Sequence, residues 1–422
     1  LYIHKELGHS LKVDGAQVLI LQWSRFFSFL SITLMLFNQP LHARETLGPT
    51  PSIRALGMGN AYTALVDDLD SLFYNPAGLA KVHGIQIELF SVEGAAHSLA
   101  DLADLKKLKS STSLATDIPP LYGKNYYLGA GGKSGIAVPM FGFAVYDYLN
   151  ASLAIHNPAF TQIDVSVLND YGYAAGFGIP LGPFLQMGGE FRRVKRTGTQ
   201  TTFAGGSLSN LNTTALKSDA TNWGIGYALD VGANIVLPLP FATFDLGAAW
   251  RDVGDTVYKT APNAHIPTDT ANLTVGLGAD IELPLLSIRP ALDFRHITEE
   301  DIQLFRKFNF GVELGLPLLD IRAGFSEGYY AYGVGLNIGL MQVDFASYGV
   351  ELGDYPGQLE ERRYMAQVSV ELDIGSFGVT KDPKQGAASS DGADGTSGSA
   401  SKSKSNANKS IWGGSSRLKQ RR

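Results

Sequence analysis

The residues best suited to chemistry in this chain are three closely spaced carboxylates, Asp67, Asp68 and Asp70, in the run VDDLDS. Clustered carboxylates suit a hard cation. The same spacing suits helix termination and hydrogen bonding inside a cavity, and that second reading takes precedence. Gly132-Lys133-Ser134 resembles the end of a phosphate-binding loop, but Tyr127 stands where the earlier glycine is needed. Gly57-Met58-Gly59 opens like a dinucleotide fingerprint, but Tyr62 occupies the third glycine position and no strand precedes it. The eight histidines show no metal-ligand spacing. The lack of cysteine removes thiolate metal sites, thiol nucleophiles, disulfides and a lipidated cysteine. No Ser/His/Asp arrangement stands out. The sequence therefore predicts no enzyme: no catalytic residue, no metal centre and no cofactor.

What remains is charge that needs partners. Arg54, Arg192, Arg251, Arg295 and Arg322 fall near the polar face of alternating segments or at their ends, as do Asp230, Asp245, Asp293 and Glu313. Ion pairing inside a lumen is the expected use, with selective solute binding as the lesser alternative. The alternation is strict. In Tyr364 to Ile374 the residues Tyr364, Ala366, Val368, Val370, Leu372 and Ile374 share one face, opposite Met365, Gln367, Ser369, Glu371 and Asp373. Trp223 to Ile235, Phe244 to Trp250, Leu273 to Leu283 and Phe308 to Leu316 behave alike. The longer of these runs exceed an ordinary globular strand and match a tilted strand crossing a bilayer.

Which face meets lipid follows from composition. Charged residues are only 18%, Gly numbers 48, and the polar face is mainly Gly, Ala, Asn, Asp, Gln and Ser. A soluble barrel of a dozen or more strands could not fill its interior, so the apolar face is expected to meet lipid. Short proline turns (Pro180, Pro238, Pro284 and Pro317) alternate with longer polar loops at Thr197 to Thr221, Asp252 to Ala271 and His296 to Lys307. That asymmetry belongs to outer-membrane barrels, with the short turns in the periplasm. The expected fold is an all-β transmembrane outer-membrane β-barrel of about 14 antiparallel strands; Gly135 to His156 reads as either one interrupted strand or two. Tyr171, Tyr173, Trp250, Tyr329, Tyr330, Tyr332, Tyr348 and Tyr364 are expected in interfacial girdles.

The ends read differently. Arg25, the apolar run Phe26 to Phe37 and the segment ending at Ala43 predict a secretory signal over 1–43, with a mis-set start because the first methionine is Met35. An uncleaved anchor helix is the alternative. Leu99, Leu102, Leu105 and Leu108 form one helical stripe in a helical insertion at about 98–110. Nine basic and three acidic residues from Lys381 to Arg422 give that segment +6 and leave −12 for the remainder of a chain of net charge −6. A Gly/Ser/Lys-rich composition over 377–422 predicts disorder, on the periplasmic side by strand parity.

Arg54 to Ala80, RALGMGNAYTALVDDLDSLFYNPAGLA, is too apolar for an exposed linker and too glycine-rich for one helix. Its order of Ala55-Leu56-Gly57-Met58-Gly59, Asp67-Asp68 and Asn75-Pro76-Ala77-Gly78-Leu79 resembles the N-terminal hatch of the FadL-type outer-membrane transporter superfamily, including its PorV-like relatives. Asn60 departs from the small residue common at that position. The resemblance implies a hatch over 44–84 inside a barrel over 85–376. Arg54, Gly57, Met58, Gly59, Asp67, Asp68, Asn75, Pro76 and Gly78 would form its gate, with Gly57, Gly59 and Gly78 supplying backbone freedom and Asn75-Pro76 fixing the plugging turn.

The resemblance also implies passive transport of long-chain fatty acids or other hydrophobic small molecules across the outer membrane of a Gram-negative-type bacterium. Leu99, Leu102, Leu105 and Leu108 would then form a capture surface. The alternative is a PorV-like scaffold or secretion-system component that binds secreted or periplasmic proteins. Expected partners are outer-membrane lipid and one of these two classes, with no nucleic acid.

Overall fold

The computed structural model describes residues 52–98, 122–156, 162–204, 219–260 and 266–375. The signal segment, the leucine stripe at Leu99, Leu102, Leu105 and Leu108, and the 377–422 tail lie outside the described residues. Alternation produces fifteen strands: β1 (Ile85–Ala96), β2 (Asn125–Val138), β3 (Phe141–His156), β4 (Gln162–Leu181), β5 (Leu185–Ala204), β6 (Trp223–Pro238), β7 (Thr243–Arg251), β8 (Lys259–Thr260), β9 (Asn272–Leu283), β10 (Leu286–Phe294), β11 (Phe308–Gly315), β12 (Leu319–Ser326), β13 (Tyr329–Ile338), β14 (Met341–Glu351) and β15 (Glu360–Ile374). Neighbours pair antiparallel in sequence order, except that β7 pairs directly with β9. The ring closes where β1 pairs with β15, Ile85 opposite Ile374. The two-residue β8 only extends the end of β6. The result is a closed barrel of fourteen strands, eight to twenty residues long. Gly135 to His156 resolves into two strands joined at Pro139-Met140.

Burial is inverted relative to a water-soluble protein. On β6, Tyr227, Leu229 and Val231 point outward and are 40–54% exposed, whereas Asp230 and Asn234 on the inward face are 0% exposed. A charge that is dry next to an exposed leucine makes sense only if the outside is hydrocarbon. The short turns at 139–140, 182–184, 239–242, 284–285, 316–318 and 339–340 share one end of the barrel. The remaining connections share the other; five residues separate β3 from β4, and the rest are longer with one exception. β12 and β13 are joined there by Glu327-Gly328, both at positive φ (52° and 99°), the geometry of a tight hairpin turn.

Two sequence expectations need correction. The loop expected over Thr197 to Thr221 is strand as far as Ala204. Beyond the bilayer both strand faces turn polar, so the apolar alternation ends before the hydrogen-bond ladder does. Six of the eight girdle aromatics do face outward. Tyr329 and Tyr348 are buried in the lumen, and Tyr329 donates its hydroxyl hydrogen to Glu351 at 2.8 Å. Parity decides: Tyr330 and Tyr332 occupy the outward positions of β13, which turns Tyr329 inward.

Burial of an arginine at the bilayer midplane costs about 2–4 kcal/mol and near the interface about 0–1. Leu229→Arg, mid-strand on the outer face, is therefore expected to lower unfolding stability in lipid by that larger amount. Leu239→Arg in a short turn should leave it nearly unchanged. Equal effects, measured by denaturant titration of the gel-mobility shift, would exclude a lipid-facing outer surface.

Candidate functional site

Residues 52–82 run through the inside of this barrel, and nearly all are buried. The segment folds in three short steps. Ser52 caps the helix Ile53–Gly57, accepting from the Ala55 amide at 3.5 Å. A second short helix, Ser71–Tyr74, follows Asp70. Asn75 then caps the 3-10 turn Pro76–Lys81 through its Oδ1, which accepts from the Ala77 amide at 3.1 Å. Gly59 and Asn60 both have positive φ (60° and 61°). Asparagine is among the few residues with a side chain that tolerate that conformation, which accounts for Asn60 where a small residue is common. Its Oδ1 accepts from the Tyr74 hydroxyl at 2.9 Å, tying the first turn to the second helix.

A segment without a β-ladder must find partners for its backbone and charges elsewhere, and the barrel wall supplies them. Arg54 makes a two-pronged pair with Glu313 on β11, 2.9 and 2.8 Å, and donates to Tyr62 (2.5 Å), Asp67 (3.0 Å) and Asp68 (3.1 Å). Glu313 also accepts from Arg322 at 2.8 Å, and Arg322 donates to Asp344 at 2.6 Å. On β10, one oxygen of Asp293 accepts from the amides of Tyr62 and Thr63 and from the Thr63 hydroxyl, at 2.7–3.0 Å. Asn75 donates to Thr63 O at 3.0 Å and to Asn234 on β6 at 2.7 Å. Lys81 pairs with Asp245 on β7 at 2.9 Å, and Lys133 on β2 pairs with Asp70.

The three hatch aspartates are thus engaged by Arg54 and Lys133, the hydrogen-bonding use that takes precedence in the sequence. Among the described residues no group of three or more acidic or imidazole side chains is arranged to hold a metal ion. Arg54, Arg192, Arg295 and Arg322 all have carboxylates within 4.0 Å. Arg251 does not, among the described residues; it donates instead to Phe73 O of the hatch at 3.2 Å.

The wall approaches this segment through glycine. A methyl group on Gly188 or Gly232 would lie 2.0–2.4 Å from Asn75 or Pro76. On Gly247 it would lie 2.8 Å from Ala64, and on Gly311 or Gly324 2.2 Å from Met58 or Gly59. Inward glycines are notches in which the hatch backbone sits. The expectation of backbone freedom at Gly57, Gly59 and Gly78 is corrected accordingly, since only Gly59 has positive φ. At Gly57 and Gly78 the reason is space: a Cβ would lie 3.1 Å from Gly333 and 2.5 Å from Val66 O, respectively.

The hatch divides the lumen. A vestibule of about 790 Å³ lies on the long-loop side, bordered by Tyr146, Val194, Arg196, Arg251, Tyr258 and Arg363. A second cavity of about 290 Å³ lies on the short-turn side, between Arg54, Asp68, Asp70, Glu88, Lys133 and Glu371. The vestibule loops are themselves pinned: Arg196 forms paired bonds to both Asp170 and Asp269, at 2.7–3.0 Å, and stacks on Tyr258. Burial, and then the neighbouring charge of Asp70, hold the Asp68 carboxyl above its usual range against the pull of Arg54. Burial would raise Asp70 as well, but the Lys133 ammonium outweighs it and leaves Asp70 below its usual range.

The nine positions singled out in the sequence all lie in this segment inside the barrel. Sequence reasoning passed over Tyr62, Thr63 and Asn234 and gave Asp293 no specific partner. It also read the inward glycines as a neutral polar face. Their repetition at inward parity was the available signal.

No protein-family model and no curated protein matches the chain. Among solved structures it is similar to the Ralstonia pickettii toluene transporter TbuX, with 12% identity, 78% of this chain and 99% of that one covered, and a TM-score of 0.45. It is also similar to the Pseudomonas putida toluene transporter TodX, with 10% identity, 79% and 99% covered, and a TM-score of 0.40. A Pseudomonas aeruginosa FadL homologue is similar at 10% identity, with 78% and 100% covered and a TM-score of 0.33. Likenesses this distant transfer neither a site nor a substrate.

Gly59→Ala places a methyl 2.5 Å from the Phe325 amide nitrogen at a backbone angle that side chains rarely adopt. It is expected to loosen the plug without opening the barrel. Limited proteolysis should then cut within 54–80 while the gel-mobility shift survives, and unchanged protection would contradict the fit described. The Asp70–Lys133 pair gives a pH dependence. Because the folded-state value of Asp70 is lowered, its stabilisation is full above the unfolded value of about 3.9. It is lost only as pH falls through the lower folded value. The difference in thermal midpoint between wild type and Asp70→Asn should therefore stay constant from neutral pH to about 4 and shrink below it. A difference already closing near pH 6 would contradict the pairing.

Proposed function

We propose that this protein resides in the outer membrane of a Gram-negative-type bacterium as a FadL-type passive transporter of hydrophobic small molecules, gated by residues 54–80. One observation carries the reading. An apolar seam leads from the vestibule into the plug: Tyr258, Val194 and Tyr146 join Phe73, Leu72 and Leu79 in one buried cluster, with the Phe73 and Tyr146 rings edge to face at 5.3 Å. A hydrophobic solute in the vestibule meets this seam, and a small displacement of the hatch from β3–β5 would extend it. Leu99, Leu102, Leu105 and Leu108, in the connection leaving β1 at the vestibule end, are assigned the capture of solute from outside.

Among hydrophobic solutes, long-chain fatty acids suit Arg251. Its guanidinium borders the vestibule, is half-buried and, among the described residues, bonds a neutral carbonyl of the hatch and no carboxylate. A carboxylate would be a better partner, and taking it would weaken the hold of Arg251 on Phe73.

A second reading rests on the anchors. Charged side chains of β2, β7 and β11 grip the hatch at once, and a plug held that firmly suits a permanently closed, PorV-like scaffold for exported proteins.

Mass spectrometry of protein purified in mild detergent separates the two: bound fatty acid or hydrocarbon supports transport, and a stoichiometric polypeptide supports the scaffold. A charge-assisted hydrogen bond is worth about 1.5–3 kcal/mol, so Arg251→Ala should weaken binding of a long-chain fatty acid about tenfold or more. Binding of the uncharged alkane of equal length should stay unchanged. Equal effects on both ligands would remove the fatty-acid assignment while leaving hydrophobic transport standing.

A further inference from the structure

The outward face of β4 to β6 carries charges that the lumen does not use. Phe191 of β5 points outward, and Arg193 and Lys195 follow it at the same parity. Arg193 stands between Tyr173 of β4 and Tyr227 of β6, and Lys195 between Tyr171 and Ile225. Lys259 of β8 is the other cross-strand neighbour of Ile225. The three cations therefore share one outward patch, with the exposed rings of Tyr171, Tyr173, Trp223 and Tyr227 around it.

Among the described residues none of the three has a carboxylate within 4.0 Å. Lys195 Nζ lies instead 5.1 Å from the centre of the Trp223 ring. Asp147 of β3, on the same face opposite Tyr171, accepts from Asn169 at 2.8 Å. Arg362, outward on β15, is by contrast paired with Glu360. Lys195 and Lys259 are two strand spacings apart, about 10 Å, and repel each other.

The strand sets the height of the patch. Lys195 lies ten residues along β5 from Leu185, at the short-turn end, which is about 33 Å at about 3.3 Å per residue. A tilt of about 35–45° reduces that to about 23–27 Å, against an apolar band about 25 Å tall in outer-membrane barrels. Lys195 and Lys259 thus stand at headgroup level on the long-loop side. Arg193, one layer lower, has a side chain long enough to reach the same level. Three cations at that depth call for more than one negative charge. A phosphate diester brings one, whereas a phosphate monoester brings about −1.5 to −2 near pH 7 and three acceptor oxygens. Directly below, Phe191 stacks on Tyr227 at 5.9 Å and lies opposite Leu229, a wall suited to acyl chains.

We infer that Arg193, Lys195 and Lys259 form a binding site for an outer-leaflet lipid bearing phosphate monoesters, the chemistry of lipid A, with its acyl chains on Phe191, Tyr227 and Leu229. The site rests on the outer-membrane location proposed above and is independent of what the lumen carries.

The test is native mass spectrometry of the full-length protein in mild detergent, titrated with bisphosphorylated lipid A. Dephosphorylated lipid A and phosphatidylglycerol are expected to bind about tenfold or more weaker, the worth of lost charge-assisted hydrogen bonds. The variant Arg193→Gln, Lys195→Gln, Lys259→Gln should lose lipid A to a similar degree. The charge-keeping variant Arg193→Lys, Lys195→Arg, Lys259→Arg should hold it, and excess inorganic phosphate should not displace it. The inference is overturned if the glutamine variant binds as wild type does, or if the charge-keeping variant loses the lipid equally. It is overturned also if the three lipids bind alike or if inorganic phosphate displaces lipid A. Fractionation outside the outer membrane, with no heat-dependent gel shift, would remove the location itself and this site with it.

Discussion

The width of the lumen is the constraint on which the rest of this structure depends. Fourteen tilted strands enclose more space than their own inward side chains can fill, and an interior left unfilled would be an open aqueous channel. The chain supplies the filling itself, from the segment just before β1. The inward face of the wall then cannot be bulky, and glycines at Gly188, Gly232, Gly247, Gly311 and Gly324 receive the backbone of the plug. Part of the high glycine content follows from this fit of backbone against wall.

Filling a lumen with irregular backbone creates a second requirement. The plug has no ladder partners, so side chains from the wall must satisfy its amides, as one oxygen of Asp293 does for Tyr62 and Thr63. Charges drawn into such a space need matched partners, because removing one member of a buried pair costs about 3–5 kcal/mol. Glu313 is shared between Arg54 of the plug and Arg322 of the wall, which makes plug and wall one electrostatic unit. Asp344 completes it from β14.

The strands were legible because a bilayer enforces period two over long runs. Trp223 to Ile235 keeps its sequence-read faces without exception, and Tyr364 to Ile374 keeps them as far as Ser369. Where the bilayer ends, so does the enforcement, and the upper part of β5 reads as loop although it is strand. The plug was legible as a segment, because its glycines and Asn75-Pro76 break any regular pattern. Its contacts were not. That Asp293 would hold Tyr62, or Asn234 meet Asn75, depends on register around a closed ring, which no local pattern encodes. The parity of Tyr329 and Tyr348 was readable from Tyr330 and Tyr332, and only the habit of assigning aromatics to interfaces obscured it.

The grip on the plug is uneven around the ring, and this bears on how it could yield. Charged or polar anchors come from β2, β6, β7, β10 and β11. Against β3 to β5 the plug presents Leu72, Leu79 and Phe73 to Gly142, Gly176 and Tyr146 instead. Separating an ion pair inside a lumen leaves two charges to be rehydrated, whereas sliding an apolar contact apart loses only its buried area, at about 25 cal/mol per Å². A hydrophobic solute entering the gap would recover much of that loss, because it restores apolar contact where water would not. The side of the plug that is cheapest to part from the wall is therefore also the side where a hydrophobic molecule, and not an ion, reduces the cost of parting.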